Sequence, residues 1–198
     1  ASFAADIAKA REVLQDVSGA AVTGYRAPSF SIDQRTPWAF AELAEQGYAY
    51  SSSVAPVVHD HYGWPEAPRF AFKPLPWSSM IELPVTTAML GGRRVAAGGG
   101  GFFRVLPYGF SRWAIRQVNR TEGRPAVFYF HPWEVDPEQP RVGHAPLRSR
   151  FRHYTGLARM SGKLRELVHD FRWGRMDLVA HREAARAVDL VLPAPAED

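Results

Sequence analysis

Apolar residues in the first part of the chain recur with a helical and then a strand-like period. The spacing of Phe3, Ile7, Leu14 and Val17 predicts an amphipathic helix over residues 2–17. The runs AAVTGYRAP and YAYSSSV read as strands, and TPWAFAELAEQG between them reads as a helix. Helices that alternate with strands in this way indicate an α/β domain with parallel strands.

The helix in TPWAFAELAEQG carries signals at both of its ends. Thr36 belongs to the residue types that cap a helix, and Pro37 suits the first helical position. Gly47 favours an end to the helix there. These signals predict a helix that begins at Pro37 and stops before Gly47.

Residues 55–108 are rich in proline and glycine and contain a predicted strand, MIELPVTT. The remainder of this region predicts long loops, which often carry functional residues. The run GGGG at 98–101 lacks the Gly-Lys-Ser/Thr ending of a phosphate loop. The pattern also shows no clear junction of strand and helix around it, so we predict no phosphate-binding loop.

The rest of the chain returns to regular patterns. A helix is predicted over residues 109–121, and the continuous apolar run PAVFYF predicts a strand buried on both faces. Leu157, Leu164 and Val168 predict one face of a helix over residues 155–170. A final short helix is predicted in MDLVAHREAARAV, and LPAPAED is predicted to be a loose tail.

Composition excludes several classes of protein. The 198 residues suffice for a sizeable core, and no apolar run is long enough to predict a membrane span. The absence of cysteine excludes disulfides, a thiol nucleophile and a zinc–thiolate site. The net charge is +4, and the basic cluster RSRFRHY has interleaved aromatic residues, as nucleic-acid binders do. Acidic residues nearby in sequence favour a solvated surface, so we predict no nucleic-acid partner.

Arg26 and His131 each follow a predicted strand, where α/β domains present reactive side chains. Arg26 can orient a carboxylate or hold an anionic group, and its alternative role is a structural ion pair. His131, followed by Pro132 and Trp133, is expected in a stiff apolar setting that suits proton transfer near neutral pH. Its alternative role is a hydrogen bond to a loop carbonyl.

Two further groups of residues suggest ligand binding. His59 and His61 lie two residues apart, so both can face one side of an extended segment and bind a metal, although no third ligand is evident. Trp64, Trp77 and Trp133 lie in loop-like sequence, where an aromatic ring can stack on a sugar. Packing in the core is the alternative for each tryptophan.

Several stretches together resemble the polysaccharide deacetylase family, which contains the NodB-homology domain and is carbohydrate esterase family four. The similarity is greatest to the subgroup associated with exosortase exopolysaccharide loci. The stretches occur in the family's order: GYRAPSFSI, GYAYSSSV, HDHYGWPEAPRF, GGGFFRVLPY and FYFHPWEVD.

This resemblance implies roles for the residues that match the family's motifs. Arg26 would orient a catalytic aspartate, the backbone N–H of Ser29 would help to bind the oxyanion, and His131 would be the general acid. The remaining matched positions imply contacts with the substrate, namely Pro28, Phe30, Trp64, Tyr129 and Trp133. Ser51 departs from the pattern, since many relatives carry aspartate there.

The family's first motif, with its Asp-Asp pair, and its His-x-x-x-His motif are both missing from the sequence. In the family these motifs supply the catalytic base and the ligands of a divalent metal, with zinc expected. The resemblance therefore implies a partial, distorted (β/α) barrel that lacks its first strands. It further implies a deacetylase portion over residues 1–135 and a family-specific extension over residues 136–198.

The function expected from the resemblance is metal-dependent removal of N-acetyl groups from amino sugars of a bacterial exopolysaccharide. The chain alone would be inactive in that case, because it offers neither the base nor the metal ligands. The alternatives are a saccharide-binding remnant without activity, a related amidohydrolase that acts on a small cyclic amide, and a nucleic-acid binder that uses Arg148, Arg150 and Arg152.

Overall fold

Seven helices and seven strands lie within residues 2–59 and 62–190, which are the residues that the computed structural model describes. The helices are α1 (Phe3–Ser18), α2 (Trp38–Glu45), α3 (Gly100–Val105), α4 (Tyr108–Arg116), α5 (Leu147–Tyr154), α6 (Leu157–Asp170) and α7 (Met176–Ala184). The strands are β1 (Gly24–Tyr25), β2 (Tyr50–Ser51), β3 (Phe72–Lys73), β4 (Ile81–Glu82), β5 (Thr87–Leu90), β6 (Arg93–Ala96) and β7 (Val188–Asp189). Pro28–Phe30 and Pro132–Val135 form 3₁₀ turns, and the π-helical turn Gln117–Thr121 continues α4.

Packing divides the described chain into two units. The first unit contains residues 2–84 and 175–190, and the second contains residues 85–174. The boundary at residue 135, between the deacetylase portion and the family-specific extension, is inferred from sequence resemblance and stays a prediction. None of the described helices is both long and apolar enough to cross a bilayer.

The first unit is built on a mainly parallel sheet. Within the described residues its strands lie in the order β1-β2-β4-β3-β7. β1, β2 and β4 run parallel, β3 is antiparallel to β4, and β7 is parallel to β3. The predicted α/β class with a mainly parallel sheet is confirmed, and closure into a barrel stays a prediction.

The register of this sheet gathers the ends of three strands. Tyr25 lies opposite Ser51, and Ser51 lies opposite Glu82. Because parallel strands end at the same edge of a sheet, the residues that follow them, Arg26 and Ser52, also lie at that edge.

Helices α1 and α2 supply much of the first unit's core. Ile7 of α1 packs with Phe40 and Leu43 of α2, and all three side chains are buried. The predicted core positions Leu14 and Val17 are wrong, since both side chains are exposed and Val17 is 82% exposed. The Arg11 side chain donates hydrogen bonds to the carbonyls of Val22 and Gln46. Polar contacts therefore replace apolar packing on this part of α1.

The start of α2 differs from the prediction by one residue. Pro37, rather than Thr36, occupies the cap position, and no side chain caps the helix. The Thr36 hydroxyl instead accepts a hydrogen bond from the Asp33 amide and donates to the Ser31 carbonyl, both at 3.1 Å. The Thr36 side chain therefore stabilises the turn before the helix and does not cap α2.

In the second unit, β5 and β6 form an antiparallel hairpin that leads towards α3 through the glycine run at 98–101. A junction of strand and helix therefore surrounds these glycines, which corrects the prediction. A hydrophobic cluster in this unit contains Phe103, Ile115, Met160 and Leu167.

The run PAVFYF is an extended segment with a single isolated bridge, between Tyr129 and Gly99. The prediction of a strand buried on both faces is therefore wrong. Val127 is buried and Phe130 is exposed. Backbone contacts are confined to a few points, such as the Tyr129 amide donating to the Gly98 carbonyl at 2.8 Å, so the segment does not form a full ladder.

The remaining predicted helices are confirmed with small changes in length. Leu157 is buried and Leu164 is partly buried in α6, but Val168 is exposed, which corrects its predicted core position. The predicted final helix corresponds to α7. The predicted tail LPAPAED lies outside the described residues.

Phe40→Ala should lower the free energy of unfolding by about 3–5 kcal/mol, because the fully buried ring would leave a cavity. Val17→Ala on the exposed face of α1 should change it by less than about 0.5 kcal/mol. Urea unfolding measures both values. Equal effects of the two substitutions would contradict this description of the core.

Candidate active site

Arg26 follows β1, and its side chain is held by the residue that follows β2. Arg26 Nε donates to the Ser52 carbonyl at 2.8 Å, and Nη2 donates to Ser52 Oγ at 2.7 Å. Ser52 Oγ in turn donates to the Leu83 carbonyl at 2.7 Å, which fixes the hydroxyl from the side of β4. The guanidinium carbon lies 5.9 Å from the centre of the Phe30 ring. Arg26 is therefore exposed to solvent but fixed in direction.

Glu82 at the end of β4 is the first functional candidate that the sequence reasoning missed. Its side chain is fully buried, and Oε1 accepts hydrogen bonds from the Ser53 and Val54 amides at 2.7 and 2.8 Å. Oε2 has no hydrogen-bond partner among the described residues, and the nearby Ser51 hydroxyl lowers the pKa of the carboxyl group. Burial raises the pKa of Glu82 to about 6, while these donors and the charge of Arg26 oppose the rise.

Two neighbouring serines connect Glu82 to the backbone beside Arg26. Ser53 Oγ accepts a hydrogen bond from the Ala27 amide at 2.9 Å. Ser53 Oγ also shares a hydrogen bond of 2.7 Å with Ser51 Oγ, and both serines are buried. The stretch YAYSSSV therefore forms only a short strand, and its serines build a polar network at the strand ends.

The turn Pro28–Phe30 has an uncommon backbone. Ser29 has a φ of 56° and Phe30 a φ of 51°, and both lie in the left-handed region that favours glycine. Such a conformation costs about 1–3 kcal/mol per residue and persists only when surrounding contacts enforce it. Phe30 supplies such contacts, because its ring is only 7% exposed and lies 5.5 Å from the Tyr62 ring.

This turn leaves one backbone group open to a ligand. Ser29 is exposed, and its amide has no hydrogen-bond partner among residues 2–59 and 62–190. The amides of Phe30 and Ser31 are both satisfied within the turn, by the carbonyls of Ala27 and Pro28 at 3.2 Å. The open donor is thus the amide that the resemblance assigns to oxyanion binding.

His131 precedes the turn Pro132–Val135, and its side chain is 58% exposed. The predicted stiff apolar setting of the ring is therefore wrong, because the extended segment ends at the surface. Its backbone is nevertheless well fixed: the His131 amide donates to Glu134 Oε2 at 2.7 Å, and the Glu134 amide donates to the His131 carbonyl at 2.9 Å. Oε2 also lies 3.5 Å from His131 Nδ1, which is too long for a strong hydrogen bond.

Glu134 is itself held by a buried ion pair, which the sequence reasoning also missed. Arg104 Nε donates to Glu134 Oε1 at 2.8 Å, and both side chains are almost fully buried. The other guanidinium nitrogens donate to the carbonyls of His153 and Thr155 at 2.8 Å and of Arg152 at 3.0 Å. Buried charges need such a full set of partners, so this pair rigidly supports the backbone at His131.

The Trp133 ring stacks on two histidines. The His153 ring lies 4.2 Å away at 11°, and the His131 ring lies 5.8 Å away at 21°. The Arg104 guanidinium also lies 5.0 Å from the centre of the Trp133 ring. The protein therefore covers much of the surface that a stacked sugar would need.

The other predicted aromatic contacts divide between packing and exposure. Trp64 is 3% exposed and belongs to the first unit's core, so it offers no open ring face. Phe30 is likewise buried, and the Tyr129 ring packs closely over Gly99. Trp77 is 61% exposed.

The predicted site residues lie in both units. Arg26, Pro28, Ser29, Phe30 and Trp64 belong to the first unit. The second unit contains Tyr129, His131 and Trp133. That these two groups serve one reaction stays a prediction.

The predicted weak metal site gains no support. His59 stacks on the Tyr62 ring at 4.0 Å, and His61 lies outside the described residues. Within residues 2–59 and 62–190, no three His, Asp or Glu side chains come together in a group that fits a metal ion.

The raised pKa of Glu82 predicts how stability depends on pH. Because the folded protein holds this proton more tightly than the unfolded chain, the wild type should lose about 2 kcal/mol of stability as the pH rises from 4.5 to above 6. Glu82→Gln should lack this loss. Urea unfolding across this range measures the difference, with exposed Glu66→Gln as the control. Parallel curves for wild type and Glu82→Gln would contradict the assignment.

A second prediction concerns the support of His131. A Cβ at Gly100 would overlap the Glu134 carboxylate, so Gly100→Ala should destabilise the protein by about 1–3 kcal/mol. Gly101→Ala is a matched control, since its Cβ would meet no atom within 4 Å, and it should be neutral or stabilising by up to about 1 kcal/mol. Thermal unfolding compares the two. Equal melting temperatures would show that Glu134 does not lie against Gly100.

Comparisons with known proteins place the chain in a family without naming an activity. The comparison with curated proteins gave no match, and neither did the comparison with solved structures. A family model described as "Domain of unknown function (DUF3473)" matches residues 52–181. The match includes Glu82, Arg104, His131 and Glu134, whereas Arg26 precedes it. Because the matched residues make up more than half of the chain, the protein belongs to the DUF3473 family.

Proposed function

We propose that the chain carries part of the active site of a hydrolase that removes N-acetyl groups from amino sugars of a bacterial exopolysaccharide. The proposal joins the resemblance to the polysaccharide deacetylases with the geometry around Arg26, Ser29 and His131. In it, the substrate is an acetylated polysaccharide or oligosaccharide, and the bond broken is an amide C–N bond.

The observation that carries the proposal is the strained turn at Ser29. Hydrolysis of an amide passes through a tetrahedral intermediate whose oxygen bears negative charge, and backbone N–H groups stabilise such an oxyanion. Ser29 is an exposed residue whose amide has no hydrogen-bond partner among the described residues, so it offers this donor within the left-handed backbone at Ser29 and Phe30. Strain of this kind is concentrated at functional sites, which supports a role in catalysis.

His131 has the properties that the proposed acid requires. Its imidazole is exposed, so a leaving amine can reach the ring. Glu134 Oε2 lies 3.5 Å from Nδ1, so in the proposal the protonated imidazole donates from its other nitrogen, Nε2. Delivering a proton to the leaving amine lowers the barrier to C–N cleavage.

Arg26 has the position of an orienting group in this proposal. Two of its nitrogens are committed to Ser52, which fixes the plane of the guanidinium at the strand edge. A planar cation held in this way presents a defined direction to a carboxylate. The proposed partner is an aspartate base from residues other than those described.

The divalent metal of the resembled family is a separate part of the proposal. The described residues do not fit it, because they gather no set of three possible ligands. We therefore derive no step through a metal, and propose that the base and the metal ligands, with zinc as the expected metal, come from another segment.

The alternative of a saccharide-binding remnant has less support. It relied on stacking by Trp64, Trp77 and Trp133, but Trp64 is in the core and Trp133 stacks on histidines. The alternative of a hydrolase for small cyclic amides uses the same oxyanion donor and acid. It is separated from the main proposal by its substrate alone.

Acetate release from N-acetylglucosamine oligosaccharides by the full-length protein tests the proposal. His131→Gln should lower kcat by about 10²–10⁴-fold, because the leaving amine would lose its proton donor. His169→Gln is the matched control, since His169 is also exposed and lies on α6. It should leave kcat unchanged.

Three outcomes would count against the proposal. Full activity of His131→Gln would remove the acid from the mechanism. Saccharide binding without turnover would favour the remnant. Turnover of small cyclic imides with no acetate release would favour the related amidohydrolase.

A further inference from the structure

We propose that Glu82 is a positioning residue for Arg26, and that it acts through the hydrogen-bonded segment Ser52–Val54. Any effect of Glu82 on catalysis rests on the proposed function, because Arg26 is an orienting residue only in that function. The structural part of the proposal concerns only the placement of Arg26.

Glu82 accepts hydrogen bonds from the segment that follows β2. One carboxylate oxygen accepts both the Ser53 and Val54 amides, at 2.7 and 2.8 Å. Successive amides that point to one acceptor fix the backbone of their segment. The carboxylate is fully buried, so water does not replace these bonds.

Two routes connect this segment to Arg26. Ser52 directly precedes the two amides that Glu82 binds. Its carbonyl accepts a hydrogen bond from Arg26 Nε, and its hydroxyl accepts one from Arg26 Nη2. Ser53 accepts the Ala27 amide on its hydroxyl at 2.9 Å. The first route holds the Arg26 side chain, and the second holds the backbone that follows it.

Glu82 lies opposite Ser51 in the parallel pair of β2 and β4, so its carboxylate reaches the residues that follow β2. A buried carboxylate is costly unless it is hydrogen-bonded, and a purely apolar residue would fill a core position more cheaply. The amides of Ser53 and Val54, which the carboxylate holds in place, explain why a glutamate occupies this buried position.

Two conservative substitutions separate the effect of the length of the Glu82 side chain from the effect of its charge. Glu82→Gln keeps an oxygen at the same reach and removes the charge, whereas Glu82→Asp keeps the charge and shortens the side chain. If Glu82 acts by hydrogen bonding, only Glu82→Asp should loosen Arg26. Glu183→Asp is the matched control, because Glu183 is another buried glutamate of the first unit, on α7.

The first readout is hydrogen exchange of the Arg26 Nε–H group, followed by NMR in protein with ¹⁵N-labelled arginine and assigned with Arg26→Lys. Exchange should become about tenfold faster in Glu82→Asp, which corresponds to the loss of about one hydrogen bond. It should stay at the wild-type value in Glu82→Gln and in Glu183→Asp.

Unchanged exchange in folded Glu82→Asp would overturn the proposal. Faster exchange in Glu82→Gln alone would also overturn it, since charge rather than reach would then hold Arg26. Should Glu82→Asp fail to fold, Ser53→Ala removes the acceptor of the Ala27 amide. Unchanged Arg26 exchange in that variant would overturn the proposal as well.

The second readout is acetate release, which depends on the proposed function. Glu82→Asp should lower kcat by about 10²-fold with little change in KM, as expected when a catalytic group is displaced. A wild-type protein that releases no acetate would refute the proposed function. The exchange measurement would still decide whether Glu82 positions Arg26.

Discussion

Two of the buried glutamates, Glu82 and Glu134, shape the backbone beside both candidate catalytic residues. Each buried carboxylate requires hydrogen-bond donors, and each finds them in nearby amides. Glu82 takes the amides of Ser53 and Val54, and Glu134 takes the amide of His131. The need to satisfy a buried charge thus becomes a means of fixing the position of exposed functional groups.

The two glutamates meet this need in different ways. Glu134 has a full counter-charge in Arg104, which is almost fully buried and also binds three carbonyls. Glu82 relies on amides and hydroxyls, so burial raises its pKa to about 6. A full counter-charge gives a rigid support, whereas the raised pKa of Glu82 makes the stability of the fold depend on pH.

Much of the local structure could be predicted from the sequence, because helical periodicity and end signals act over a few residues. α1, α6 and α7 were found in this way. Periodicity does not tell which part of an apolar stripe is covered, so Leu14, Val17 and Val168 were wrongly placed in the core. The glutamate within the apolar run MIELPV is a signal for Glu82 that the reasoning missed. Ser29 and Phe30 gave no signal, because neither residue type favours a positive φ and tertiary contacts impose it.

The most direct test of the central claim concerns the exposed Ser29 amide. Acetate, the expected product, carries the oxygens that this donor should bind, and its titration into the full-length protein can be followed by ¹⁵N–¹H NMR. The account predicts a saturable shift of the Ser29 amide signal, and loss of that shift in Arg26→Lys. A Ser29 signal that does not respond to acetate would contradict the assignment of this turn to the acyl oxygen.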